Sequence, residues 1–304
     1  MTVKDICKLF GATKQAYYKY DSLALQTRLL QEQIAVDYAL SVRKSDAGMG
    51  ARKLYAMYCK ESACEGHPIG RDHFFRLLKE RQMMLRVHRS KVPKTTDSRH
   101  NLPLYPNKVW GVIPLRANQI WVSDITYIKV WDDKAHTQYH FCYLSLITDA
   151  YSKMVKGYTV SETMETIHPL SALQMALKSQ PKDFDFSGLT HHSDRGVQYA
   201  SAQYVQLLKE RNISISMTED GNPKHNAIAE RINNTIKNEF FAKLSFESIE
   251  EVRENVREAV AFYNQRRPHM SINGLTPAEA EEQVGEIKKQ WYSYREQAIK
   301  GLAM

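Results

Sequence analysis

The pattern of hydrophobic and polar positions changes from a helical to a strand period near residue 117. Before that point, apolar residues recur at helical spacing in VKDICKLF and again from about residue 25 to 43. From 117 onward, QIWVSDITYIKVW is rich in β-branched and aromatic residues, which favours a strand. The pattern therefore predicts a helical first third followed by a region that contains strands.

Strands and helices alternate through the predicted second region. Two strands, YHFCYLSLITDAY and KMVKGYTVSE, follow the first and are joined by a turn at 149–152. The next segments are predicted as helix, strand, helix and strand: ETIHPLSALQMALKSQ, GLTHHSD, SAQYVQLLKERN and ISISMT. The last 60 residues are predicted as two helices, the second beginning with Thr276 as cap and Pro277 at its first position. Alternation by itself indicates only the α/β class.

The first third contains two possible helix-turn-helix units. Gly11 separates VKDICKLF from KQAYYKY, which Thr13 can cap, and a glycine between two short helices is typical of this motif. The second unit comprises ARKLYAMYCKE and IGRDHFFRLLKERQMM. Helical hairpins also occur without any DNA-binding role, so the pattern alone leaves both readings open.

Composition is that of a globular protein with room for two domains. The chain has 304 residues, of which 43% are hydrophobic and 25% charged. No apolar run approaches the roughly 18 residues that span a bilayer, and the first residues carry charges that a signal peptide would lack. We therefore expect a cytoplasmic protein with no membrane partner.

The positive charge is concentrated in the first third. Residues 1–100 carry 19 Lys and Arg against 10 Asp and Glu, whereas residues 101–304 carry 23 against 24. Within the first third, residues 86–100 hold five basic residues and one acid. Such a segment suits contact with DNA phosphates, although a solvated linker has the same composition.

The four cysteines do not form a disulfide framework. The spacing of Cys59, Cys64, His67 and His73 fits no common zinc pattern. Ordinary thiols are expected there, and whether this group binds a metal stays open.

Three acidic residues lie in distinctive surroundings: Asp124 in WVSDITYI, Asp194 in HHSDRGVQYA, and Glu230, with 35 residues between the last two. Carboxylate oxygens are the ligands that hard divalent cations prefer. Taken singly, Asp194 could be an ordinary turn acid and Glu230 a solvated helix acid. Their occurrence on predicted strands and helices that can meet at one point indicates a metal site for phosphoryl transfer.

The surrounding motifs extend this hypothesis. They are D-x-T-Y-I after Trp-Val, H-S-D-x-G-x-Q-Y, the lysine seven residues after Glu230, and YNQRRPH. Together they resemble the DDE transposases and retroviral integrases, and in particular the B-frame transposases of bacterial insertion sequences, over essentially the whole chain. The resemblance implies an α/β fold with a ribonuclease-H-like (retroviral integrase) core, preceded by an all-α helix-turn-helix region and followed by C-terminal helices. The expected divisions are a helical DNA-binding region at 1–95, a linker at 96–116, the core at 117–245 and a helical extension at 246–304.

The same resemblance implies an activity and a cofactor. The family cuts one strand at an element end and transfers the resulting 3′-hydroxyl, using two Mg²⁺ or Mn²⁺ ions. By resemblance Asp124 would bridge the two ions, with Asp194 and Glu230 completing their shells. His192 and Gln198 are expected to lie behind the ligands. One departure is that His225 stands where the family more often has an acid, which puts a local DNA or metal contact in doubt.

Several further residues are expected to contact DNA. They lie on the same predicted helix as Glu230, in YNQRRPH, in the second helix-turn-helix unit, and in the basic segment: Lys237, Asn226, Asn233, Tyr263, Asn264, Arg266, Arg267, His269, Arg71, Arg76, Lys79, Arg86, Arg89 and Lys91.

The expected partners are the terminal inverted repeats of the element and a target DNA. Two ends must be brought together, so at least a homodimer on DNA is expected, with nucleoid association and with an A-frame fusion or partner possible. The alternatives are a DNA-binding regulator with a retired integrase fold and a plain ribonuclease H. An intact acidic triad argues against the regulator, and the basic first third argues against the ribonuclease.

Overall fold

A computed structural model describes five stretches of the chain: 2–18, 22–61, 69–85, 101–219 and 226–290. The chain divides into two compact units, one of Met1–Ser41 with Tyr58–Met84 and the other of Val42–Met57 with Leu85–Met304. Residues 42–57 therefore group with the later part of the chain, a division that differs from the expected boundary at 95.

The first unit is helical. Its elements are α1 (Val3–Leu9), α2 (Lys14–Tyr18), α3 (Ser22–Ser45, which continues into the second unit), the end of α4 (Ala51–Lys60) and α5 (Arg71–Glu80). Thr2 and Asp5 form a capping box at the start of α1, because each side chain accepts a bond from the other's backbone N–H. Gly11 has φ +63° between α1 and α2, a conformation that glycine adopts without steric cost. The structure therefore contains the first predicted pair of short helices, α1 and α2, separated by a turn at Gly11.

Aromatic packing and one ion pair hold the remaining helices of this unit together. The Tyr58 ring stacks on Phe74 with 5.4 Å between ring centroids, and Phe74 is fully buried. Glu32 on α3 lies 2.8 Å from the Nε2 atom of His73 on α5. His73 thus already has a carboxylate partner, Cys59 is exposed, and Cys64 and His67 lie outside the described residues.

The second unit is built on a five-stranded sheet of order β3-β2-β1-β4-β5. Its strands are β1 (Ile120–Trp131), β2 (Tyr139–Asp149), β3 (Val155–Ser161), β4 (Thr190–Ser193) and β5 (Ser214–Met217). β1, β2 and β3 are antiparallel neighbours, while β4 is parallel to both β1 and β5. Three hairpin-linked strands followed by parallel strands agree with the order expected from the sequence.

Helices cover this sheet. They are α6 (Ile167–Lys178), α7 (Val197–Ala200), α8 (Ala202–Glu210), α9 (Ala227–Thr235), a π-helical segment (Ile236–Phe240), α10 (Ile249–Gln265), a 3₁₀ turn (Met270–Ile272) and α11 (Pro277–Glu281). β3 approaches α6 so closely at Gly157 that an added Cβ would lie 2.1 Å from the carbonyl oxygen of Ala172. Trp121, Leu173 and Tyr204 are among the largest buried side chains of the resulting core.

The last predicted helix is shorter than expected. The capping box of Thr276 with Glu279 starts α11 as predicted, but α11 ends at Glu281. Gly285 then takes φ +92°, and Val284 forms a β-bridge with Arg116. Residues 291–304 lie outside the described part of the chain. Among the described residues, no helix has the length and apolar character needed to cross a bilayer.

Candidate active site

The register of two parallel strands brings Asp124 and Asp194 together. The last pair between β1 and β4 joins Val122 to His192. Asp124 and Asp194 each follow two residues after this pair, so both emerge at the same level on neighbouring chain segments. Beyond Val122, β1 loses β4 as a neighbour, which opens that edge of the strand to a ligand.

The environment of Asp124 is electrostatically unfavourable for a lone carboxylate. Burial raises the pKa of Asp124 to about 7, and the nearby charges of Asp194 and then Glu230 add to the rise. An amide hydrogen bond from Asn233 and a backbone bond from Ile125 act in the opposite direction without cancelling it. Three acids from a strand, a loop and a helix therefore influence one another at this position.

Asp194 is held by the loop that follows β4. Its Oδ1 accepts a hydrogen bond from the backbone N–H of Gly196 at 3.0 Å. The adjacent Arg195 side chain donates to the Thr218 carbonyl at 2.7 Å. This loop leads into α7, so the carboxylate lies at the carboxyl end of a parallel strand, where ligand sites commonly form in α/β sheets.

Helix α9 carries Glu230 and is tied to β1 by two asparagines. Asn226, at the N-cap, donates to the Ser123 carbonyl at 2.9 Å, and Asn233 donates to the Asp124 carboxylate at 2.7 Å. These two bonds fix the rotation of α9 over β1. Glu230 is half-buried between them, and burial raises its pKa.

Lys237 lies on the π-helical segment rather than on a regular continuation of α9. The predicted helix was expected to carry Asn226, Glu230, Asn233 and Lys237 on one face, but α9 ends at Thr235. The Lys237 ammonium lies 3.5 Å from the centroid of the Tyr127 ring, and burial lowers its pKa. Tyr127 lies three residues after Asp124 on β1, and because side chains alternate along a strand, the two side chains point to opposite faces of the sheet. π-Helical turns are frequent at functional sites.

The histidines before Asp194 belong to the core. His192 is buried with Nδ1 2.9 Å from the Ser216 hydroxyl. His191 lies 2.7 Å from the Ser123 hydroxyl, and burial lowers its pKa to about 3, so its ring is neutral. Gln198 donates to the Met164 carbonyl at 3.0 Å. His192 thus links β4 to β5 and Gln198 contacts the segment before α6, and their expected position behind the metal ligands stays a prediction.

Most of the YNQRRPH motif points inward. Tyr263 and Asn264 are buried, and Asn264 both accepts from and donates to the Val155 backbone at 2.9 Å. His269 packs edge-on against Tyr263 and lies 3.0 Å from the Arg267 guanidinium; burial, then Arg267, lowers its pKa. Arg266 is exposed, with its guanidinium 5.3 Å from the Phe262 ring centroid. Of the residues from this motif expected to meet DNA, Arg266 has the most accessible position.

A cluster of buried charges surrounds Arg267, which is only 2% exposed. Its guanidinium pairs with Asp46 at 3.4 Å and with Glu239 on the π-helical segment, and Lys53 lies 3.3 Å from Glu239. Burial raises the pKa of Asp46 to about 6. Burial also acts to raise the pKa of Glu239, but Arg267 and Lys53 hold it below its usual value.

The backbone of residues 46–53 docks directly on Glu239. The Gly48 N–H donates to the Glu239 carbonyl at 2.9 Å. A Cβ on Gly48 would lie 2.5 Å from the Glu239 Cα, so only glycine fits. Sequence reasoning missed this cluster, because Asp46 and Arg267 are 221 positions apart and no local pattern links them.

The predicted DNA contacts outside the core are only partly visible. Arg71 pairs with Asp72 at 3.0 Å, Arg76 lies 3.9 Å from Glu80, and Lys79 is exposed on α5. Arg86, Arg89 and Lys91 lie outside the described residues, as do residues 220–225, which include His225.

The carboxylate oxygens of Asp124, Asp194 and Glu230 are donors that fit a divalent cation, although the three side chains do not converge on one point. Within the described stretches, no three His, Cys, Asp or Glu residues stand close enough together to hold an ion. Two observations favour a cation: Asp124 is flanked by two like charges, and the buried Oδ1 of Asn233 has no donor among the described residues. Oxygen donors of this kind suit Mg²⁺ or Mn²⁺.

Two family models, both described as integrase core domain, match this chain over residues 114–223 and 211–277. The first contains Asp124 and Asp194, and the second contains Glu230. These matches, with the strand order of the sheet, confirm the integrase-like, ribonuclease-H-like fold expected from the sequence.

Proteins of several insertion elements are similar to this chain. A 31 kDa protein of insertion element IS600 from Shigella sonnei is 32% identical over 276 residues, which cover 90% of this chain and 96% of that protein. The transposase for IS629 from the same organism is 34% identical over 64% of this chain and 62% of its own length. The transposase for IS3A from Escherichia coli is 27% identical over 92% and 94% respectively.

Among solved structures, the HTLV-2 integrase catalytic core domain in complex with magnesium matches 55% of this chain and 99% of that chain, with 18% identity and a TM-score of 0.40. The assignment rests instead on the sequence relatives and the family models. A relative 32% identical along 96% of its length, together with integrase-core matches that span all three acidic residues, shows that this chain belongs to the DDE-type insertion-sequence transposases, which are polynucleotidyl transferases.

Proposed function

We propose that this protein cleaves one DNA strand at each end of its element and transfers the new 3′-hydroxyl to another phosphate. The observation that carries the proposal is the meeting of three elements at Asp124: the β1–β4 register sets Asp194 beside it, and α9, which carries Glu230, is bonded to it through Asn233. A regulator with no catalytic role would gain nothing from a carboxylate at position 124, since burial and the charges of Asp194 and Glu230 disfavour its ionised form.

The three carboxylates are the proposed ligands for two Mg²⁺ or Mn²⁺ ions. When bound, such ions activate the attacking oxygen and stabilise the leaving oxygen of an in-line displacement. The carboxylates hold that charge in place. Asn233 holds the Asp124 carboxylate by its 2.7 Å bond, and Asn226 fixes the start of α9, so Glu230 approaches Asp124 at a defined angle. Reaction at phosphorus depends chiefly on such positioning and on charge neutralisation.

DNA binding is proposed to involve both units. Lys237, seven residues after Glu230, would meet a phosphate beside the cut, and exposed Arg266 would meet the flanking duplex. Lys79, Arg71 and Arg76 on α5 present cations for phosphate contact in the helical unit. Asn226, Asn233, Tyr263, Asn264 and Arg267 instead have partners inside the protein, so their proposed part is to shape the DNA-facing surface.

The proposed DNA partners are the terminal inverted repeats and a target. Bringing two ends together requires at least two copies of the protein on DNA, for which a C₂ arrangement is the simplest solution. An A-frame fusion or partner and an association with the nucleoid are further parts of this proposal.

The test is strand cleavage and joining on a duplex that carries the terminal repeat flanking the gene. We expect cleaved and joined products with Mg²⁺ or Mn²⁺ and none when EDTA removes the metal, because the proposed mechanism relies on metal ions to activate the attacking oxygen. A duplex with a scrambled terminal sequence is the control. Equal product yield in EDTA would refute the metal-dependent mechanism.

The position of Lys237 predicts a role in the reaction. Lys237→Ala should reduce cleavage by about one to two orders of magnitude, because a positioned cation at a phosphoryl-transfer site supplies a few kcal/mol. Lys237→Arg should retain more activity, since the charge remains. The melting temperature should change little, because a cation–π contact of this kind contributes about 1 kcal/mol.

The matched control for this prediction is Lys243→Ala, which removes an exposed lysine six residues further on. Both variants are measured on one pre-nicked DNA end, where only strand joining is needed. If Lys237→Ala joined strands as fast as Lys243→Ala, Lys237 would have no part in the reaction.

A further inference from the structure

The β1–β2 hairpin carries an unusual exposed face. Side chains on this face are Tyr127, Lys129 and Trp131 on β1 and Tyr139, Phe141 and Tyr143 on β2, which the register places opposite one another. Solvent-facing strand positions are usually polar. Here five of the six side chains are aromatic, and Tyr139 and Phe141 are 48% and 36% exposed.

Packing explains why this face is open. β4 pairs with β1 only as far as Val122, and β3 pairs with β2 only from Tyr143 onward. The hairpin therefore extends past the rest of the sheet. Its opposite face is buried, since Ile128, Val130 and Cys142 are at most 4% exposed. The hairpin is thus anchored on one side and presents rings on the other.

The rings form a continuous series, which we call the aromatic strip (Tyr127, Trp131, Tyr139 and Phe141). Centroids are 4.8 Å apart for Tyr127 and Phe141, 5.4 Å for Phe141 and Tyr139, and 5.6 Å for Tyr139 and Trp131. Two cations lie on these rings. Lys129 is 4.0 Å from the Tyr139 centroid, and Lys237 is 3.5 Å from that of Tyr127.

The lysine over one end of the aromatic strip follows the helix that carries Glu230. Lys237, which covers the Tyr127 ring, comes seven residues after Glu230. Tyr127 and Asp124 are three residues apart on β1, so their side chains point to opposite faces of the strand. From Tyr127 to Trp131 the strand covers roughly 13 Å, at about 3.3 Å per residue, so the strip presents its rings over that length.

The acids near the hairpin turn are engaged within the turn. Asp133 accepts hydrogen bonds from Thr137 and from the Gln138 backbone, and Asp132 lies 2.5 Å from the His140 ring. The strip itself carries only positive charge, from Lys129 and Lys237. Aromatic rings interleaved with cations are the features that bind unpaired nucleic acid, in which bases stack on rings while phosphates meet the cations.

We infer that the aromatic strip binds an unpaired DNA strand by stacking bases on its rings. The inference rests on the proposed function, because a protein that cuts and joins DNA is one that meets unpaired strands. Cross-strand ring pairs also stabilise a hairpin, but that role alone does not require the rings to be exposed or to adjoin Lys237.

The test compares single-stranded and duplex DNA binding by the full chain in EDTA, so that no catalysis takes place. Tyr139→Leu with Phe141→Leu removes two rings and keeps apolar side chains in the hairpin. Affinity for a fluorescein-labelled oligothymidine, measured by anisotropy, should fall about tenfold or more, since stacking contributes about a factor of ten per base. Affinity for a duplex of equal length should change less than twofold.

Two controls separate the outcomes. Trp110→Leu removes an exposed ring outside the strip and should leave single-strand binding unchanged. Circular dichroism and sedimentation establish that the double variant is folded and has the wild-type oligomeric state. Unchanged single-strand affinity in a folded double variant would overturn the inference, as would loss of a wild-type dimer, which would make the strip a subunit interface.

This result is independent of whether the protein cuts DNA. Lost single-strand affinity in the double variant, in a protein that never cleaves, would refute the proposed function and leave the binding strip in place. Normal cleavage, together with unaltered single-strand affinity in the double variant, would support the proposed function and refute the binding strip.

Discussion

Asp124→Asn, Asp194→Asn and Glu230→Gln should each reduce DNA cleavage and joining by about three orders of magnitude or more. Each change removes one anionic ligand at nearly constant volume, and groups that act as one unit lose most of their effect when any member is removed. Binding of the terminal duplex should remain close to wild type, because the proposed DNA contacts lie elsewhere. Gel shift and cleavage assays on the same DNA measure both quantities.

Asp183→Asn is the matched control, since Asp183 is an exposed acid of the same domain away from the three carboxylates. It should leave cleavage unchanged. Normal turnover by any one of the three active-site variants would exclude that residue as a ligand.

The Asp124 variant should also be at least as stable as wild type when metal is absent. The pKa of Asp124 is raised to about 7 in the folded protein, above its value in an unfolded chain. The free energy of unfolding therefore falls as the pH rises from the ordinary aspartate pKa to about 7, and above that pH the ionised carboxylate weakens the fold. Asparagine carries no charge and its Oδ1 can still accept the hydrogen bond from Asn233. A melting temperature at pH 8 equal to or above that of wild type would show that this acid is kept for function rather than stability.

Arg267→Met should destabilise the folded protein by about 3–5 kcal/mol, because it leaves the fully buried carboxylate of Asp46 without its partner and removes one of the two cations paired with half-buried Glu239. Urea denaturation measures the loss. Adding Asp46→Asn and Glu239→Gln to the same chain should recover part of it, since the uncompensated charges disappear.

The neighbouring residue supplies the contrast. Arg266→Ala should hardly change stability, because Arg266 is exposed, and should weaken DNA binding. A DNA contact by Arg267 would instead make the two variants alike, with lower DNA affinity and unchanged stability. That outcome would refute the structural role of Arg267.

Docking of residues 46–53 on Glu239 connects this cluster to the active site. Glu239 belongs to the π-helical segment that also carries Lys237, and that segment follows α9 directly. Removing the cluster therefore loosens the element that places Lys237. A catalytic fragment that begins near residue 105 would lack Gly48 and Asp46, which belong to the same compact unit as the sheet. Such a fragment would therefore lose the contacts that hold Glu239 and Arg267.

Sequence by itself determined the local elements and singled out the residues proposed to carry the chemistry. The β-branched and aromatic content of QIWVSDITYIKVW and the amphipathic spacing of SIEEVRENVREAVAFYNQRR are properties of neighbouring residues, so β1 and α10 could be predicted directly. Asp124, Asp194 and Glu230 could be singled out because the flanking motifs are specific. The alternating aromatic residues of β1 and β2 were also readable, although their exposure was not.

Tertiary structure decided which residues meet and which face outward. The pairing of Val122 with His192 places Asp124 beside Asp194 across some 70 residues, and only the strand register determines it. Arg267 reads as a DNA-facing cation in YNQRRPH, yet Asp46 and Glu239 bury it. α9 gives way to a π-helical segment where its periodicity predicts a continuing helix, and Gly48 packs against that segment. Local propensity acts over a few residues, whereas burial and ion pairing depend on distant segments meeting, so these features follow only from the folded chain.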